Sequence, residues 1–438
     1  MSLTHEELKE GVVGGAVGVR CRTVLQPLGG PGDKVFPPTY GVDNNAETKY
    51  ATEKRRVPRA DGSEDTVVPA VVLDSVASQA NRLELALLDA IRRGDLAAPV
   101  TSVDFAQSGL AGLDRISDYE APHRIFDALL RDSYDGEHLF RNGAVGRAIT
   151  EARPRDAAAL YYHSPHTLVF GGWDSTGPRG GLGAKYERAI TSEIVALDIE
   201  VGKRTASRID PAGIEKSAAV LYEGPRGGAA WVLDKSEAVL DSKGNPKLLG
   251  AKDSAKDSSK DGGRGNGEPG RPSQANLGNV RPSIDPKNGG ITARQIVGTT
   301  VLSFIQLRRL RFPTRADSTA FDGQRAEAEV AARTALAALG LTAAALAFEE
   351  GFDLRSRCVL VAEGPVMFEL VKRDGTVVPF DLSSADALKL AEESADRAAA
   401  AGLPWREGEL LLRPAGRLVQ LIKRSQDIAE SAEADGDR

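Results

Sequence analysis

VVPAVVLDSVASQANRLELALLDAIRR, residues 67–93, passes directly from a strand pattern into a helix pattern. Its first seven residues are apolar and rich in valine, which predicts a strand, and Pro69 favours an edge or bulge position in it. Asp74 or Ser75 can cap the helix that follows, and apolar residues then recur at helical spacing as far as Arg93. The segment therefore predicts a strand that leads directly into an amphipathic helix.

Other elements are predicted on both sides of this segment. Residues 16–25, AVGVRCRTVL, alternate in polarity as a half-buried strand does, with Arg20 and Arg22 on its open face. We also predict a helix at 124–131 and strands at 167–171 and 192–201. Further along, ordered structure is predicted to resume at 291, with helices at 324–339 and 384–401.

Composition excludes several classes of protein. A hydrophobic content of 41% over 438 residues suits one large or two ordinary domains with a substantial core. No segment approaches the roughly 18 consecutive apolar residues of a membrane span, and no signal-peptide pattern begins the chain. Cys21 and Cys358 are the only cysteines, too few for a disulfide framework or a thiolate zinc site. We therefore expect a cytoplasmic protein without a membrane partner.

Basic residues are concentrated locally although the net charge is −6. One run at 49–59 contains five cations against a single glutamate, and another at 308–315 contains four arginines and no acidic residue. Such patches on an acidic protein favour a defined nucleic-acid track over bulk electrostatic binding. Ordinary solvated charge explains any single patch about equally well.

Two further segments suit the binding of a polyanion. A helix that begins near Ser75 offers N–H groups to phosphate, with polar side chains close by, although a capped helix with a polar face would have the same residues. The glycine-rich stretch 161–188 ends in Arg179, Lys185 and Arg188, and glycine lets a backbone approach a ligand closely.

Enzymatic interpretations of these segments are weaker. His163 and His166 could ligate a metal, but Pro165 lies between them and no third ligand is evident. A triad of Ser164, His163 and Asp174 lacks the nucleophile-elbow motif. GGLGAK does not satisfy the phosphate-loop pattern, and the GxGxxG match at 265–270 follows no strand. Residues 242–290, rich in Lys, Asp, Ser, Gly and Pro, are predicted to form a disordered or mobile insert.

Three segments occur in a characteristic order: LQPLGGPGDKVFPPTY (25–40), VVLDSVASQANRLE (71–84) and HSPHTLVFGGWDSTGPRGGLGAKYER (163–188). Together they resemble the CRISPR-associated RAMP backbone subunit of type I-G (formerly I-U) Cascade. The resemblance covers about residues 12–240 and, more loosely, 291–425. The SQANR segment is also similar to the SQ-x-x-K/R helix of backbone subunits in other Cascade types.

The resemblance implies an α+β fold: an RNA-recognition-motif-like (ferredoxin-like) antiparallel sheet core with large insertions, including a thumb-like hairpin. Residues 1–241 would form the first part of the core, with the thumb near 33–60. Residues 242–290 would be the insert, 291–425 the remainder of the core with helical elaborations, and 426–438 an acidic tail.

The implied function is that of a non-catalytic scaffold. Copies of the subunit would polymerise as a helical filament along the spacer of a CRISPR RNA and present it for pairing with target DNA, in a surveillance complex for antiviral defence. The implied partners are CRISPR RNA, target DNA through the guide, copies of the chain itself and other Cascade subunits, with no cofactor and no metal.

The resemblance also implies which residues contact RNA. Phe36 and Tyr40 are available to wedge between bases, and Trp173 to stack on one. The implied RNA-binding residues are Arg20, Arg22, Lys34, Phe36, Arg55, Arg56, Ser78, Gln79, Asn81, Arg82, Gly171, Gly172, Trp173, Ser175, Arg179 and Lys185.

Two enzyme hypotheses compete with this scaffold. In RNA-targeting RAMP relatives an aspartate in the loop after the first strand cuts RNA, which makes Asp33 a candidate for a metal-dependent endoribonuclease. An aspartate in a glycine-rich turn has an ordinary structural explanation as well. A processing endonuclease would use His163 and Tyr162 as acid and base.

Overall fold

A computed structural model describes residues 3–42, 46–58, 65–177, 183–225, 230–251, 268–313 and 323–436, with the backbone alone for 323–325 and 430–436. The strands are β1 (Ala16–Pro27), β2 (Thr52–Val57), β3 (Thr66–Asp74), β4 (Val100–Asp104), β5 (Arg115–Ser117), β6 (Ser133–Asp135), β7 (His138–Leu139), β8 (Gly172–Trp173), β9 (Lys185–Tyr186), β10 (Ile190–Val201), β11 (Arg204–Arg208), β12 (Tyr222–Glu223), β13 (Trp231–Val232), β14 (Val280–Asp285), β15 (Ile291–Ser303), β16 (Phe352–Arg355), β17 (Cys358–Ala362), β18 (Phe368–Lys372), β19 (Val377–Phe380) and β20 (Glu409–Pro414).

The helices are α1 (His5–Glu10), α2 (Val76–Arg93), α3 (Ala128–Arg131), α4 (Ala144–Glu151), α5 (Ala158–His163), α6 (Pro165–Phe170), α7 (Phe304–Leu307), α8 (Gly323–Glu350), α9 (Ser384–Ala400) and α10 (Gly416–Gly436). A π-helical turn follows α1 at Gly11–Gly15. Short 3₁₀ turns occupy Arg124–Phe126, Phe140–Asn142, Lys235–Glu237 and Pro272–Ala275.

A nine-stranded sheet forms the centre of the first of two compact units, Met1–Pro37, Thr52–Ile199 and Ala293–Gln420. Its order is β16-β17-β1-β15-β10-β3-β2, with β18 also paired to β1 and β19 to β18. β1 runs antiparallel to β15, with Arg20 opposite Val301. Along β1, Val19, Cys21 and Leu25 are buried, whereas Arg22 is exposed on the other face. The sheet therefore has one core face and one open face.

Helix α8 is the centre of the helical layer and packs against α2, α6 and α9. By length and composition, Ala326–Glu350 is the one helix of the described residues that could cross a membrane, so the prediction of no such segment is wrong. In this structure 83% of the 18-residue apolar stretch of this helix is buried. Packing against neighbouring helices accounts for its apolar composition.

A second sheet of the first unit has the order β5-β4-β20-β6-β7, with β20 parallel to β4. A separate two-stranded hairpin pairs β8 with β9.

The second unit comprises Pro38–Ala51, Glu200–Thr292 and Leu421–Arg438. Within it β11 pairs with β14 and β12 with β13. The Tyr50 hydroxyl accepts a hydrogen bond of 2.7 Å from the Gly290 N–H, which ties the ends of two of its segments together.

The predicted α+β class is confirmed, with a nine-stranded antiparallel sheet at its centre. The finer prediction of a ferredoxin-like core remains a prediction. The strand predicted at 16–25 and the helix predicted from Ser75 are present, and the Ser75 hydroxyl caps that helix by accepting the Ser78 N–H at 3.3 Å.

Several predicted elements differ from the structure. The strand predicted at 167–171 is wrong, because α6 occupies this position with Pro165 in its first turn. The helix predicted at 124–131 is interrupted by Asp127, whose side chain caps α3. The helix predicted at 324–339 extends to Glu350. The insert predicted at 242–290 contains strand β14, while 252–267 lie outside the described residues.

Candidate nucleic-acid interface

A concavity of 390 Å³ lies on the open face of the central sheet. We call it the open-face concavity. Its basic lining residues are Arg22 on β1 with Arg55 and Arg56 on β2, and Glu193 on β10 is acidic. The rest of its floor is apolar or small: Val76, Val195, Leu197, Val297, Thr299 and Val301 are among the lining residues. Three predicted RNA-binding residues thus line one concavity, although β15, β10 and β3 separate β1 from β2 in the sheet.

The arginines of this face differ in how strongly they are paired. The Arg20 Nε donates a hydrogen bond of 2.7 Å to the Glu369 carboxylate on the neighbouring strand, so the charge of Arg20 is partly neutralised. Arg55 bonds both Glu53 at 2.5 Å and Glu193 at 2.9 Å. Arg22 and Arg56 are exposed. Glu193 was missed by sequence reasoning, although its place in an alternating strand pattern puts it on this face.

The predicted phosphate-binding side chains at the start of α2 already have partners. Buried Asp74 accepts hydrogen bonds from Gln79 at 2.7 Å and from Arg82 at 2.9 Å, and it pairs with Arg355 at 3.3 Å. Arg82 also donates to the main-chain oxygens of Asp353 and Leu354. Ser78 is half-buried and Asn81 is exposed. In this structure Gln79 and Arg82 therefore hold α2 against the edge of the sheet.

The β8–β9 hairpin presents an aromatic residue beside a cation. Trp173 is 51% exposed and lies directly opposite the exposed Lys185 across the two strands. Ser175 is also exposed, in the turn that follows. Arg179 lies outside the described residues.

Gly171 fixes the direction in which this hairpin leaves α6. Its φ of 86° is favourable for glycine, and a Cβ here would lie 2.8 Å from Cγ of Arg188. Its carbonyl accepts a hydrogen bond of 3.0 Å from Arg124. Gly172 is similarly confined, because a Cβ there would lie 2.7 Å from a methyl of Thr167. These predicted site residues set the backbone path of the hairpin.

Residues 19–201 match the family model described as CRISPR-associated protein GSU0053. The match is to a CRISPR-associated family. It supports a role for the chain in a CRISPR system. None of the curated proteins compared with the chain matches it.

The CRISPR-associated match includes most of the open-face concavity. β2, β3, α2 and the β8–β9 hairpin all lie within 19–201, as does most of β1. The lining residues contributed by β15 lie beyond it.

The predicted thumb, residues 33–60, does not form one continuous element. Its first residues belong to the first unit, residues 38–51 to the second, and β2 is an edge strand of the central sheet. Phe36 is covered by Arg357, whose guanidinium carbon lies 3.9 Å from the ring centre. Tyr40 is exposed, and Lys34 is half-buried. In this structure Tyr40 is thus the more accessible of the two predicted wedge residues.

Asp33 occupies a turn. Its carboxylate accepts the Lys34 N–H at 2.8 Å, and its own N–H donates to the Gly30 carbonyl at 3.1 Å. This geometry matches the structural explanation of an aspartate in a glycine-rich loop. Within the described ranges, no group of three His, Cys, Asp or Glu is placed to bind a metal.

The triad of Ser164, His163 and Asp174, already disfavoured by the missing nucleophile-elbow motif, is not assembled in the structure. Ser164 bonds Asp118 at 3.0 Å and Thr167 at 2.8 Å, all three being buried. Asp174 instead pairs with Arg141 at 2.6 Å.

Neither histidine of the HxxH motif is placed as a metal ligand with the other. His166 is fully buried and stacks on Tyr119, with ring centres 3.7 Å apart. His163 is the last residue of α5. The ring of Tyr162 contacts its ring edge-on, with the ring centres 4.8 Å apart. Burial, assisted by Arg406, lowers the pKa of His163 to about 4. His163 is therefore neutral at pH 7.

The second basic run, residues 308–315, has structural roles where it is described. Arg308 donates to the carbonyls of Gly11, Val12 and Ala16. Arg309 pairs with Glu187 and Arg311 with Glu329. These contacts favour the interpretation of this run as structural charge.

Proposed function

We propose that the chain is a non-catalytic CRISPR RNA-binding backbone subunit of a type I Cascade surveillance complex. The observation that supports this proposal is the open-face concavity, whose lining includes Arg22, Arg55 and Arg56. The match of residues 19–201 to a CRISPR-associated family supports the same interpretation.

The chemistry of the concavity suits a grip on the RNA backbone. Guanidinium groups bind phosphate oxygens through paired N–H donors, and such contacts carry no base identity. Half-buried Leu197 and Val301, which is 38% exposed, offer an apolar floor for sugar or base surfaces. A guide RNA held in this way would keep its base edges available for pairing, so that target DNA is recognised by the RNA and not by the protein.

The remaining parts of the proposal concern assembly. Several copies would bind along one CRISPR RNA, and other Cascade subunits would complete the complex in the cytoplasm. Because each copy grips phosphates without reading sequence, the number of bound copies should grow with the length of the spacer. Size-exclusion chromatography with light scattering, on complexes made with spacers of several lengths, measures this growth.

The test of RNA binding uses the two exposed arginines. We expect Arg22→Gln with Arg56→Gln to reduce the RNA that co-purifies when the chain is expressed with a CRISPR array. Each lost phosphate contact should lower the magnitude of the salt-dependence slope by about 0.7 on a single strand.

Arg92→Gln with Arg93→Gln is the matched control, because it removes the same two charges from the other end of α2, where Arg92 pairs with Glu120 and Arg93 with Asp95. Equal RNA retention by the double variant and this control would contradict the proposed role of the concavity.

The endoribonuclease hypothesis is tested separately by Asp33→Ala. Because the Asp33 carboxylate stabilises the turn, we expect Asp33→Ala and the unmodified chain to bind RNA equally well. A complementary RNA should stay equally intact with either protein. Cleavage of labelled target RNA by the unmodified chain, lost in Asp33→Ala, would establish the nuclease instead.

A further inference from the structure

The last helix of the chain, α10, has an apolar line that the structure leaves uncovered. Leu421 is 66% exposed and Ile428 is 69% exposed. Arg424, which is also exposed, lies between them on the same side of the helix, because residues three and four apart are neighbours on a helix surface. No other helix or strand of the described residues packs extensively against α10. This amphipathic helix therefore has a face available for a partner.

The first half of α10 is basic. Residues 416–426 contain Arg417, Lys423 and Arg424 and no acidic residue, and Asp427 begins the acidic end of the helix. Arg417 is bonded to Asp132 at 2.9 Å, whereas Lys423 and Arg424 are exposed. The half of α10 that contains Leu421 therefore suits an apolar surface that also carries acidic groups.

A cleft of 270 Å³ with this character is lined by α2, the end of α8 and β16. We call it the α2–α8 cleft. Among its lining residues, Leu85 on α2 is 42% exposed and Phe348 on α8 is half-buried. Small-molecule pockets usually have volumes of about 300–1,000 Å³, so this cleft suits one or two side chains of a protein partner better than a separate ligand.

The α2–α8 cleft is also acidic. Three exposed acidic residues are among those that line it: Asp89, Glu350 and Asp353. Arg82, which lines the same cleft, is already bonded to Asp74 at 2.9 Å. Arg93, near the acidic residues, is bonded to Asp95 at 2.8 Å. The cleft therefore combines apolar side chains with a negative charge that a basic partner would complement.

We propose that the basic half of α10 in one copy of the chain docks in the α2–α8 cleft of a second copy. Leu421 enters the cleft beside Leu85 and Phe348, as an apolar residue of an amphipathic helix does in a groove. Lys423 and Arg424 lie against the acidic residues of the cleft.

Because the two surfaces differ, this contact is head-to-tail. A copy whose cleft is filled still offers its own α10 to the next copy, and contacts of this kind build open filaments or closed rings. A symmetric contact between two α10 helices would instead stop at a dimer. The docking itself needs no RNA, whereas its use in ordering copies along a CRISPR RNA rests on the proposed function.

Sedimentation velocity of the RNA-free full chain tests the docking. The average mass should rise continuously with protein concentration, without a plateau at the dimer. Leu421→Asp should weaken this association at least about tenfold, which corresponds to about 1.4 kcal/mol. Leu28→Asp is the matched control, because Leu28 is likewise 66% exposed, and this variant should associate as the parent chain does.

A mixture of two variants tests which surfaces meet. Leu421→Asp lacks a working α10 but keeps its cleft, whereas Leu85→Asp lacks a working cleft but keeps its α10. Each variant alone should stay monomeric where the parent chain associates. An equal mixture should form a dimer and nothing larger, because a single productive contact is left.

Thermal unfolding establishes that both variants are folded, which is expected because both leucines are exposed. Association of Leu85→Asp to the same extent as the parent chain would overturn the docking. A mixture of the two folded variants that stays monomeric would overturn it as well.

Charge reversal tests the electrostatic part of the contact. Lys423→Glu with Arg424→Glu should weaken the association of the chain with itself. Adding Asp89→Lys, Glu350→Lys and Asp353→Lys to that variant should restore association, because both surfaces are then reversed. A chain with both sets of substitutions that associates no better than the first variant would contradict this arrangement.

The remaining outcomes separate the docking from the proposed function. A parent chain whose mass stops at the dimer would assign α10 to a symmetric contact, and one that is monomeric at every concentration would refute the docking. Self-association through α10 in a chain that retains no RNA would refute the proposed function alone. RNA-bound complexes of equal size in Leu421→Asp and Leu28→Asp would refute the docking alone.

Discussion

Arg124 connects three parts of the first unit through one buried guanidinium. It donates from Nε and Nη to both oxygens of buried Glu84 on α2, at 2.6 and 2.7 Å, and from its remaining nitrogen to the Gly171 carbonyl. Its own backbone is left-handed, with φ of 54°. One side chain thus links α2 to the backbone from which the Trp173 hairpin begins.

Removal of this side chain should be costly. We expect Arg124→Met to lower the free energy of unfolding by about 3–5 kcal/mol, because it leaves the buried Glu84 carboxylate without its hydrogen-bonded ion-pair partner. The double variant Glu84→Met with Arg124→Met should be less destabilised than Arg124→Met alone, since both charges are gone. Urea unfolding at pH 7 compares them, and a double variant that is the least stable would contradict this explanation.

His163 gives stability a dependence on pH. Its folded pKa of about 4 lies below the ordinary 6.5, so the unfolded chain binds a proton more readily between these values. The stabilisation is present above pH 6.5 and is lost as the pH falls toward 4.

We therefore compare how far the free energy of unfolding falls between pH 7 and pH 4.5. We expect it to fall by about 1–2 kcal/mol less in His163→Asn than in the parent chain, a range reduced for the partial exposure of His163. His138→Asn, at an exposed histidine, should follow the parent chain. Urea unfolding at the two pH values measures the difference, and identical losses in all three proteins would rule out this role for His163.

Local pattern predicted some site residues and failed for others. Arg22 was predictable because strand alternation alone places it on the open face. Gln79 and Arg82 have the composition of a phosphate site, but their donors go to Asp74 and to the main chain near residue 354. A short segment does not contain distant residues such as Leu354, so these hydrogen-bond partners could not be predicted from it.

Among the elements, α8 approaches the sheet closely at one glycine. A Cβ at Gly340 would lie 3.2 Å from Leu302 on β15 and 3.2 Å from Val169 on α6. A larger residue must therefore displace both neighbours.

We expect Gly340→Val to lower the free energy of unfolding by about 1–3 kcal/mol, because overpacking outweighs the gain in helix propensity. Ala347→Val, at a half-buried position of the same helix, is the control and should cost less. Thermal unfolding of the two variants tests this, and equal stability would mean that the contact at Gly340 relaxes freely.

Elements with clear periodicity were predictable, and fully buried ones were not. The stripe of α2 and the alternation of β1 each leave one polar face, which identifies their period. All six residues of α6 are buried, so its apolar run has no polar face from which to tell helix from strand. Only its tertiary surroundings select the helix.

At the scale of the whole molecule, the region matched to a CRISPR-associated family is not a complete folding unit. Most of β1 lies within residues 19–201, but its partners β15, β17 and β18 lie between 291 and 372. β10 also loses its β15 neighbour if the chain stops there.

We expect a fragment of residues 1–201 to lack cooperative thermal unfolding, because β1 would have no strand beside it. The full chain, under the same conditions, is the reference. A sharp transition in the fragment, with dispersed amide signals in its NMR spectrum, would show that β3 and α2 nucleate a stable fold without the second half of the sheet.

During synthesis, β15, β17 and β18 are made long after β1, the strand with which they pair. The ribosome adds about 5–20 residues per second, so roughly 15 to 50 seconds separate the synthesis of β1 from that of β15. During this interval Val19, Cys21 and Leu25 belong to an unpaired strand that could associate with other nascent chains. Arg20 and Arg22 alternate with these residues along the strand, and charges of this kind discourage aggregation. Arg22, which we propose holds RNA, would thus also protect the chain before any RNA is bound.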